Sequence, residues 1–166
     1  SEVYTQKKEN GNFLPGDCPY DLRIEKISDY GTKAIDSEGN LWLWSGIAYK
    51  NYYGEHISLT YMTPKQFSKG LKFKEISDRM AICDDGKLYS YKYTTSGDLS
   101  FTEIGQGRTF SKTSYGMAID TSGNLWCYGE NYYGELGTGN KNDTVSTIKA
   151  LARGTKFKEI SSGRNY

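Results

Sequence analysis

The chain has 166 residues, with 21 Lys+Arg against 20 Asp+Glu and so a formal net charge of +1. No apolar run approaches the ~18 residues of a membrane-spanning helix, which argues against a membrane span. The balanced, scattered charge argues against nucleic-acid binding, because that function needs a basic face to neutralise phosphates. Aromatic residues make up 14% of the chain, so disorder is not expected.

The most informative feature is a segment that recurs along the chain. Three copies are found, at Ile24–Gly46, Phe73–Tyr91 and Phe110–Gly129, and a fourth begins at Phe157. Each copy has a first strand, an Ala-Ile strand, a tight turn with one glycine, and a strand that begins with leucine. Because residue type, order and spacing recur together, we interpret the chain as a repeat protein.

The turn of each copy predicts a local backbone conformation. Gly39, Gly86 and Gly123 occupy the same place in a short hairpin, and each is predicted to have a positive φ. The leucine after the turn and the aromatic residue that follows it are both predicted to be buried at equivalent positions. These residues are Leu41, Leu88 and Leu125, followed by Trp42, Tyr89 and Trp126. No window has comparable helical periodicity, so the predicted fold class is all-β.

The third copy carries a family resemblance. Met117–Gly139 resembles the regulator-of-chromosome-condensation repeat, and Ile24–Ser161 matches it more loosely. This family forms seven-bladed β-propellers with four strands per blade, and the chain holds too few copies for such a ring. The resemblance therefore implies a partial β-propeller of about three four-stranded blades plus incomplete terminal blades.

The repeats divide the chain into five predicted segments. They are residues 1–23 as the tail of a preceding blade, 24–72 as blade 1, 73–109 as blade 2, 110–156 as blade 3, and 157–166 as the first strand of a further blade. Phe157–Ser161 is predicted to pair as a strand. An open sheet edge is expected to contact another chain, either the remainder of a longer chain or a second copy in a homodimer.

Residues able to carry chemistry are few. His56 is the one histidine, so neither a Ser-His-Asp triad nor a histidine metal cluster can be built. The acidic turns lack the series of oxygen donors that a calcium loop needs, and no glycine-rich segment has the context of a phosphate loop. We therefore expect no enzyme, no catalytic residue, no cofactor and no metal. Of the cysteines Cys18, Cys83 and Cys127, the last two lie in predicted strands and are expected to be buried.

Tyrosines in polar, glycine-rich loops are the first candidate site for binding a partner. Tyr49, Tyr52 and Tyr132 lie in or beside two Asn-Tyr-Tyr-Gly-Glu segments. Tyrosine offers a large rigid contact area and a hydroxyl group at low entropic cost. Tyr53 and Tyr133, nearest the glycine, are instead expected to pack on the next blade.

The loops that follow the first strand of each copy form the second candidate site. They contribute Tyr30, Arg79 and Tyr115, and we expect them at the end of the blades opposite to the Asn-Tyr-Tyr-Gly-Glu loops.

Three functions remain open. The preferred one is a non-catalytic protein-interaction module that binds a partner protein through blade loops. The alternative is a bacterial surface or secreted domain for carbohydrate binding or adhesion, which would use exposed Tyr and Trp; the composition slightly favours a secreted or cell-surface location. Chromatin or GTPase binding, by analogy with the founding member of the family, is disfavoured by the net charge of +1.

Overall fold

The computed structural model describes residues 23–28, 33–43, 46–50, 56–60, 65–67, 70–94, 99–141 and 143–161; in 46–50 and 56–60 the description is of the backbone. All regular elements in these ranges are strands, so the all-β prediction is confirmed. In the described ranges no helix has the length and apolarity needed to cross a membrane. The predicted tail of a preceding blade lies outside the described residues, apart from Arg23.

The strands form three four-stranded antiparallel sheets and one two-stranded hairpin. Sheet A consists of β1 (Ile24–Ile27), β2 (Lys33–Asp36), β3 (Leu41–Leu43) and β6 (Lys65–Gln66). The hairpin pairs β4 (Gly46–Lys50) with β5 (His56–Thr60). Sheet B consists of β7 (Phe73–Ile76), β8 (Met80–Cys83), β9 (Leu88–Tyr93) and β10 (Leu99–Glu103). Sheet C consists of β11 (Phe110–Ser114), β12 (Met117–Asp120), β13 (Leu125–Asn131) and β14 (Asp143–Leu151).

The three sheets share one register. The alanine of the second strand lies opposite the aromatic residue of the third, in the pairs Ala34–Trp42, Ala81–Tyr89 and Ala118–Trp126. The first strand of each sheet also carries a register shift after its first residue. Such a bulge adds local twist, and the sequence analysis did not predict it.

The hairpin turns have the predicted conformation. The φ angles of Gly39, Gly86 and Gly123 are 77°, 85° and 82°. In sheet A, Gly39 N donates to Asp36 O at 2.9 Å and Asp36 N donates to Asn40 O at 3.1 Å. This pattern is a three-residue hairpin whose last residue is left-handed, which is why glycine recurs there.

The leucine prediction is confirmed, whereas the prediction for the neighbouring aromatic residues is wrong in degree. Leu41 and Leu88 are fully buried and Leu125 is 9% exposed. The aromatic residues Trp42, Tyr89 and Trp126 are half-buried. In the two tryptophans the indole N–H donates to an aspartate of the hairpin turn. The aromatic ring therefore lies at the margin of the interface between sheets, next to this polar turn.

Successive sheets are joined by one recurring backbone hydrogen bond. The glycine carbonyl of each hairpin turn accepts from the backbone N–H of the phenylalanine that begins the next copy. The pairs are Gly39–Phe73, Gly86–Phe110 and Gly123–Phe157, each at 2.8 Å. The residue before the phenylalanine bonds to the hairpin turn of its own sheet. In sheet B, Asp84 N of the turn donates to Lys72 O at 3.0 Å, so residues 72 and 73 connect the turn of sheet A to the turn of sheet B.

Apolar side chains fill the two spaces between the sheets. Alternation along β8 divides its residues between them, because Ala81 and Cys83 face sheet A while Met80 and Ile82 face sheet C. The cluster between sheets A and B contains Ile35, Leu41, Leu43, Phe67, Phe73, Ile76, Ala81, Cys83 and Leu99. The cluster between sheets B and C contains Met80, Ile82, Leu88, Ile104, Phe110, Ala118 and Ile148.

Ion pairs also connect the first strands of successive copies. Lys26 Nζ lies 3.2 Å from Glu75 Oε1, and Lys112 Nζ lies 3.8 Å from the same oxygen and 3.7 Å from Glu159 Oε2. The four residues are at equivalent repeat positions and alternate in sign. Each first strand is therefore attracted to the first strand on either side of it.

The segment Phe157–Ser161 is not a strand in the structure. The described residues end at Ser161, so the prediction that this segment pairs as a strand stays a prediction. The segment reaches the position of a first strand, through the hydrogen bond of Phe157 N to Gly123 O and the ion pair of Glu159. Among the strands that the structure describes, the first strand of sheets A, B and C pairs with the Ala-Ile strand that follows it and with no other. Within the described residues no such strand follows Ser161.

Cys83 and Cys127 are free, buried thiols, as the sequence predicted. Burial raises the pKa of Cys83 to about 12, with Asp85 and Asp84 adding to the effect. Burial also raises the pKa of Cys127. Cys18 lies outside the described residues.

The links between sheets predict a graded effect of alanine at left-handed glycines. Gly107→Ala should cost about 1 kcal/mol of unfolding free energy, because φ is +75° but no atom lies near the new Cβ. Gly86→Ala should cost roughly 1–3 kcal/mol more, because its Cβ would lie 3.0 Å from Thr109 Cβ. Urea denaturation of both variants measures the difference. Equal losses would contradict a close approach between the sheets at Gly86.

The buried thiols predict slow alkylation in the folded chain. At about pH 8, Cys83 and Cys127 should react with iodoacetamide only as fast as the chain opens, because the thiolate is the reactive form. Mass spectrometry of the peptides gives the rate at each site, and the same reaction in denaturing guanidinium chloride provides the unprotected rate. Comparable rates under both conditions would contradict the burial.

Candidate interaction surface

The two predicted loop sites lie at the same end of the sheets, so the prediction of opposite ends is wrong. β11 runs towards this end, β12 runs back and β13 returns, so two reversals bring Tyr115 and Asn131 together. A contact confirms the placement, since Arg79 Nη2 lies 2.9 Å from Glu130 Oε2. We call this end of sheets B and C, formed by residues 77–79, 115–116 and 130–141, the loop end.

Arg79 connects sheets B and C at the loop end. Its Nη2 donates to the Tyr115 hydroxyl at 2.6 Å and to Glu130 Oε2 at 2.9 Å, and its guanidinium carbon lies 4.5 Å from the Tyr115 ring centroid. Burial lowers the pKa of Arg79, but Tyr115 and Glu130 outweigh it and the pKa is raised. Tyr115, whose side chain contacts Arg79, has a left-handed φ of 45°, so its backbone is strained.

The residues on either side of Arg79 extend the connection. Asp78 Oδ1 lies 2.9 Å from Lys33 Nζ of sheet A, and the two side chains are only 11% and 8% exposed. Ser77 Oγ lies 3.3 Å from Thr113 Oγ1 of sheet C. The bridging loop, residues 77–79, therefore contacts all three sheets. The sequence analysis missed Lys33, although a lysine among apolar strand residues, where the other copies have methionine, was an available signal.

A buried asparagine shapes the loop that carries the tyrosines. The Asn131 side chain is inaccessible to solvent. Its Nδ2 lies 2.8 Å from Thr138 Oγ1, 2.9 Å from Asn140 O and 2.6 Å from Asp143 Oδ1, so its two N–H groups are shared among three acceptors. Its Oδ1 accepts from Leu136 N at 2.8 Å. One side chain thus closes the loop from within and fixes its backbone.

This loop presents two exposed tyrosines. Tyr132 is 52% exposed and Tyr133 is 65% exposed. The expectation that Tyr133 packs on the next blade stays a prediction, because no sheet that follows sheet C is among the described residues. Leu136 supplies the buried side chain of the loop, since it is fully buried against sheet C near Gly116. Of the other predicted site residues, Tyr30 and Tyr52 lie outside the described residues, as does Tyr53, and Tyr49 is placed by its backbone in β4.

A cleft of about 260 Å³ separates sheets B and C beside Arg79. Two tyrosines, one lysine and three hydroxyl side chains form its walls. The lining residues are Arg79, Ser90, Tyr91, Lys92, Ser100, Thr102, Tyr128 and Gly129. The cleft was not predicted, because its residues come from β9, β10, β13 and the loop that carries Arg79, and β13 meets the others only in the folded chain.

The acidic hairpin turns use their carboxylates internally. Asp120 Oδ1 accepts from Ser122 N at 2.9 Å and Asn124 N at 2.8 Å, while Oδ2 accepts from Asn124 Nδ2 at 2.8 Å and Trp126 Nε1 at 2.9 Å. Asp36 makes the equivalent bonds in sheet A. Burial raises the pKa of Asp120, but the bonds from Asn124, Trp126 and Ser122 outweigh it, so the pKa is lowered.

The lowered pKa of Asp120 predicts that the fold loses stability in acid. The carboxylate of Asp120 stabilises the fold above its unfolded pKa of ~3.9, and this contribution is lost as the pH falls through the lower folded pKa. Trp126→Phe removes one donor, so it should reduce stability at neutral pH and flatten the dependence in acid. Tyr89→Phe is the matched control, because Cys83 replaces the aspartate in sheet B. Denaturation midpoints between about pH 7 and pH 2 test this, and equal slopes in both variants would contradict it.

The contacts of Arg79 predict that its replacement by lysine, which keeps the charge, lowers the free energy of unfolding. Arg79→Lys should cost about 1 kcal/mol, because lysine loses the ring contact and the second hydrogen bond while the pair is partly screened by solvent. Arg153→Lys on the exposed surface should leave the urea midpoint unchanged. An unchanged midpoint in both variants would show that Arg79 does not link the sheets.

No protein-family model matches the chain. Among solved structures, the crystal structure of human WBSCR16 is similar, with a TM-score of 0.64 and 17% sequence identity. The match covers 84% of this chain and 42% of that one, so this chain spans less than half of its length. At this identity the likeness concerns the fold alone, and it suggests a propeller-like arrangement of the sheets.

Proposed function

We propose that the chain is a partial β-propeller of the regulator-of-chromosome-condensation type that serves as a non-catalytic protein-interaction module. Three sheets with one register and one recurring link support the repeat assignment, and the likeness to human WBSCR16 supports the fold. The module binds a partner protein through the loop end.

The observation that carries this proposal is the display of Tyr132 on a loop that is already ordered. Asn131 fixes the loop from within, so binding costs little further ordering. Tyr93, Tyr132 and Tyr133 are exposed large side chains on strand ends or loops of this region. Arg79 donates to Glu130, which lies two residues before Tyr132 in sequence, and Tyr115 is the other partner of Arg79. Tyrosine and arginine are residue types enriched at binding hot spots.

Site-specific photo-crosslinking tests the proposal. A benzophenone amino acid at position 132 should crosslink one defined protein from the native host, and the same group at Ile24, in the opposite half of sheet A, should not. Tyr132→Ala should then weaken binding of that protein by roughly 30-fold or more, on the scale of a hot spot of about 2 kcal/mol. Equal crosslinking at both positions, or unchanged affinity, would refute the proposal.

The cleft favours carbohydrate binding as a second candidate. Tyr128 offers ring surface, and Ser90, Ser100 and Thr102 offer hydroxyl groups. A glycan array separates the two functions. Saturable glycan binding that Tyr128→Ala abolishes and Tyr132→Ala leaves intact would favour this candidate over the first.

A further inference from the structure

The cleft between sheets B and C lies where the middle copy has a serine in place of an apolar residue. Ser90 holds the register position of Leu43 in sheet A and of Cys127 in sheet C. Leu43 and Cys127 are 5% and 1% exposed and belong to apolar clusters, whereas Ser90 lines the cleft of about 260 Å³. The space that Leu43 fills between sheets A and B is therefore left open between sheets B and C.

Four polar side chains form the wall of the cleft on sheet B. Lys92 pairs with Ser100 and Ser90 pairs with Thr102 across β9 and β10, so all four lie on the face of the sheet that turns Leu88 towards sheet C. Within the described residues, the Lys92 ammonium group and the hydroxyl groups of Ser100 and Thr102 have no hydrogen-bond or ion-pair partner. These groups are available to a ligand.

Arg79 borders the cleft at the loop end and keeps one terminal nitrogen unused. Its Nη2 makes the hydrogen bonds of the guanidinium to Tyr115 and Glu130. Its Nη1 has no hydrogen-bond partner among the described residues, and it lies beside Gly129, where an added Cβ would be 3.4 Å away. Arg79 and Gly129 both line the cleft. Because residue 129 has no side chain, Nη1 is not shielded from the cleft on that side.

The charges around the cleft favour an anion with a single charge. The described wall residues include two cations, Arg79 and Lys92, and no carboxylate. Glu130 neutralises one of these charges from the other side of the guanidinium, so a single positive charge is left over. One guanidinium N–H and one ammonium group match the two oxygens of a carboxylate. A phosphate would bring a second negative charge that has no partner here.

The size and the remaining walls of the cleft favour a sugar as the carrier of this carboxylate. Ligand pockets usually measure roughly 300–1,000 Å³, so a cleft of about 260 Å³ takes about one sugar ring. The hydroxyl groups of Ser100 and Thr102 can exchange hydrogen bonds with sugar hydroxyls, and Tyr128 offers an aromatic surface.

We propose that the cleft binds an acidic sugar, a hexuronate, whose carboxylate lies between Arg79 Nη1 and Lys92 Nζ. The inference rests on carbohydrate binding, the second candidate function above, and names the class of sugar. It requires neither Tyr132 nor a protein partner at the loop end.

Two sugars that differ only at C6 test the inference. Methyl β-D-glucuronide and methyl β-D-glucoside are titrated into the 166-residue chain, and the amide signals of residues 90–92 and 100–102 are followed by NMR. The glucuronide should shift these signals saturably and bind at least roughly tenfold more tightly, because it adds two charge-assisted hydrogen bonds. Its advantage should shrink as the salt concentration rises.

The outcomes against the inference are distinct. Equal affinity for the two sugars overturns the acidic sugar but leaves the carbohydrate candidate standing. Saturable binding of glutarate as tight as that of the glucuronide would assign the site to an acidic protein side chain and would also overturn it. If neither sugar binds, the inference fails, and the glycan array decides on the carbohydrate candidate separately.

Matched variants locate the binding. Lys92→Gln should weaken glucuronide binding roughly tenfold, on the scale of one charge-assisted hydrogen bond, whereas Lys149→Gln, at an exposed lysine outside the cleft walls, should leave it unchanged. Tyr132→Ala should also leave it unchanged, which separates this site from the loop-end interaction. Full affinity in Lys92→Gln overturns the inference.

Ser90→Leu copies the sequence of sheet A into sheet B. The leucine should fill the cleft as Leu43 fills the corresponding space, so glucuronide binding should be lost while the urea midpoint stays the same or rises. An unchanged midpoint shows that the loss comes from the filled cleft and not from unfolding. Retained binding in a folded Ser90→Leu variant overturns the inference.

Discussion

The close approach between each hairpin turn and the start of the next copy is the constraint on which the architecture depends. A glycine carbonyl accepts from a phenylalanine N–H at 2.8 Å, and this requires a left-handed residue without a side chain. Once Phe73 or Phe110 is fixed in this way, its ring enters the space between two sheets and is 0–1% exposed. One backbone bond therefore sets the position, direction and spacing of the next sheet.

Ion pairs between successive copies provide further contacts between the sheets. Lys26, Glu75, Lys112 and Glu159 alternate along the first strands, and the bridging loop joins Lys33 of sheet A to Asp78. The Lys33–Asp78 pair is nearly inaccessible to solvent, so its desolvation cost offsets much of its attraction. Its effect is on specificity, because a sheet stacked in another register would leave a buried charge unpaired.

The middle copy shows how the turns adapt without losing the fold. Sheets A and C have an aspartate that accepts from a tryptophan indole, whereas sheet B has Cys83 and Tyr89 at these two positions. Loss of the acceptor and loss of the indole donor occur together, so neither of these two positions leaves an unpaired aspartate or indole group in the turn. At the loop end, the buried Asn131 side chain forms hydrogen bonds with four partners within the loop. The tyrosines are not needed to hold the loop together, and they face solvent.

The sequence by itself determined the repeat, the all-β class, the left-handed glycines, the buried leucines and the two buried cysteines. These features depend on local geometry and on alternation along single strands, which a repeated pattern records directly. Only the tertiary structure decided that Arg79, Tyr115 and Tyr132 share one end, that Tyr133 is exposed while Leu136 is buried, and that Phe157–Ser161 has no partner strand among the described residues. Each of these depends on which strand lies beside which, and so on contacts between residues far apart in the chain that no local pattern encodes.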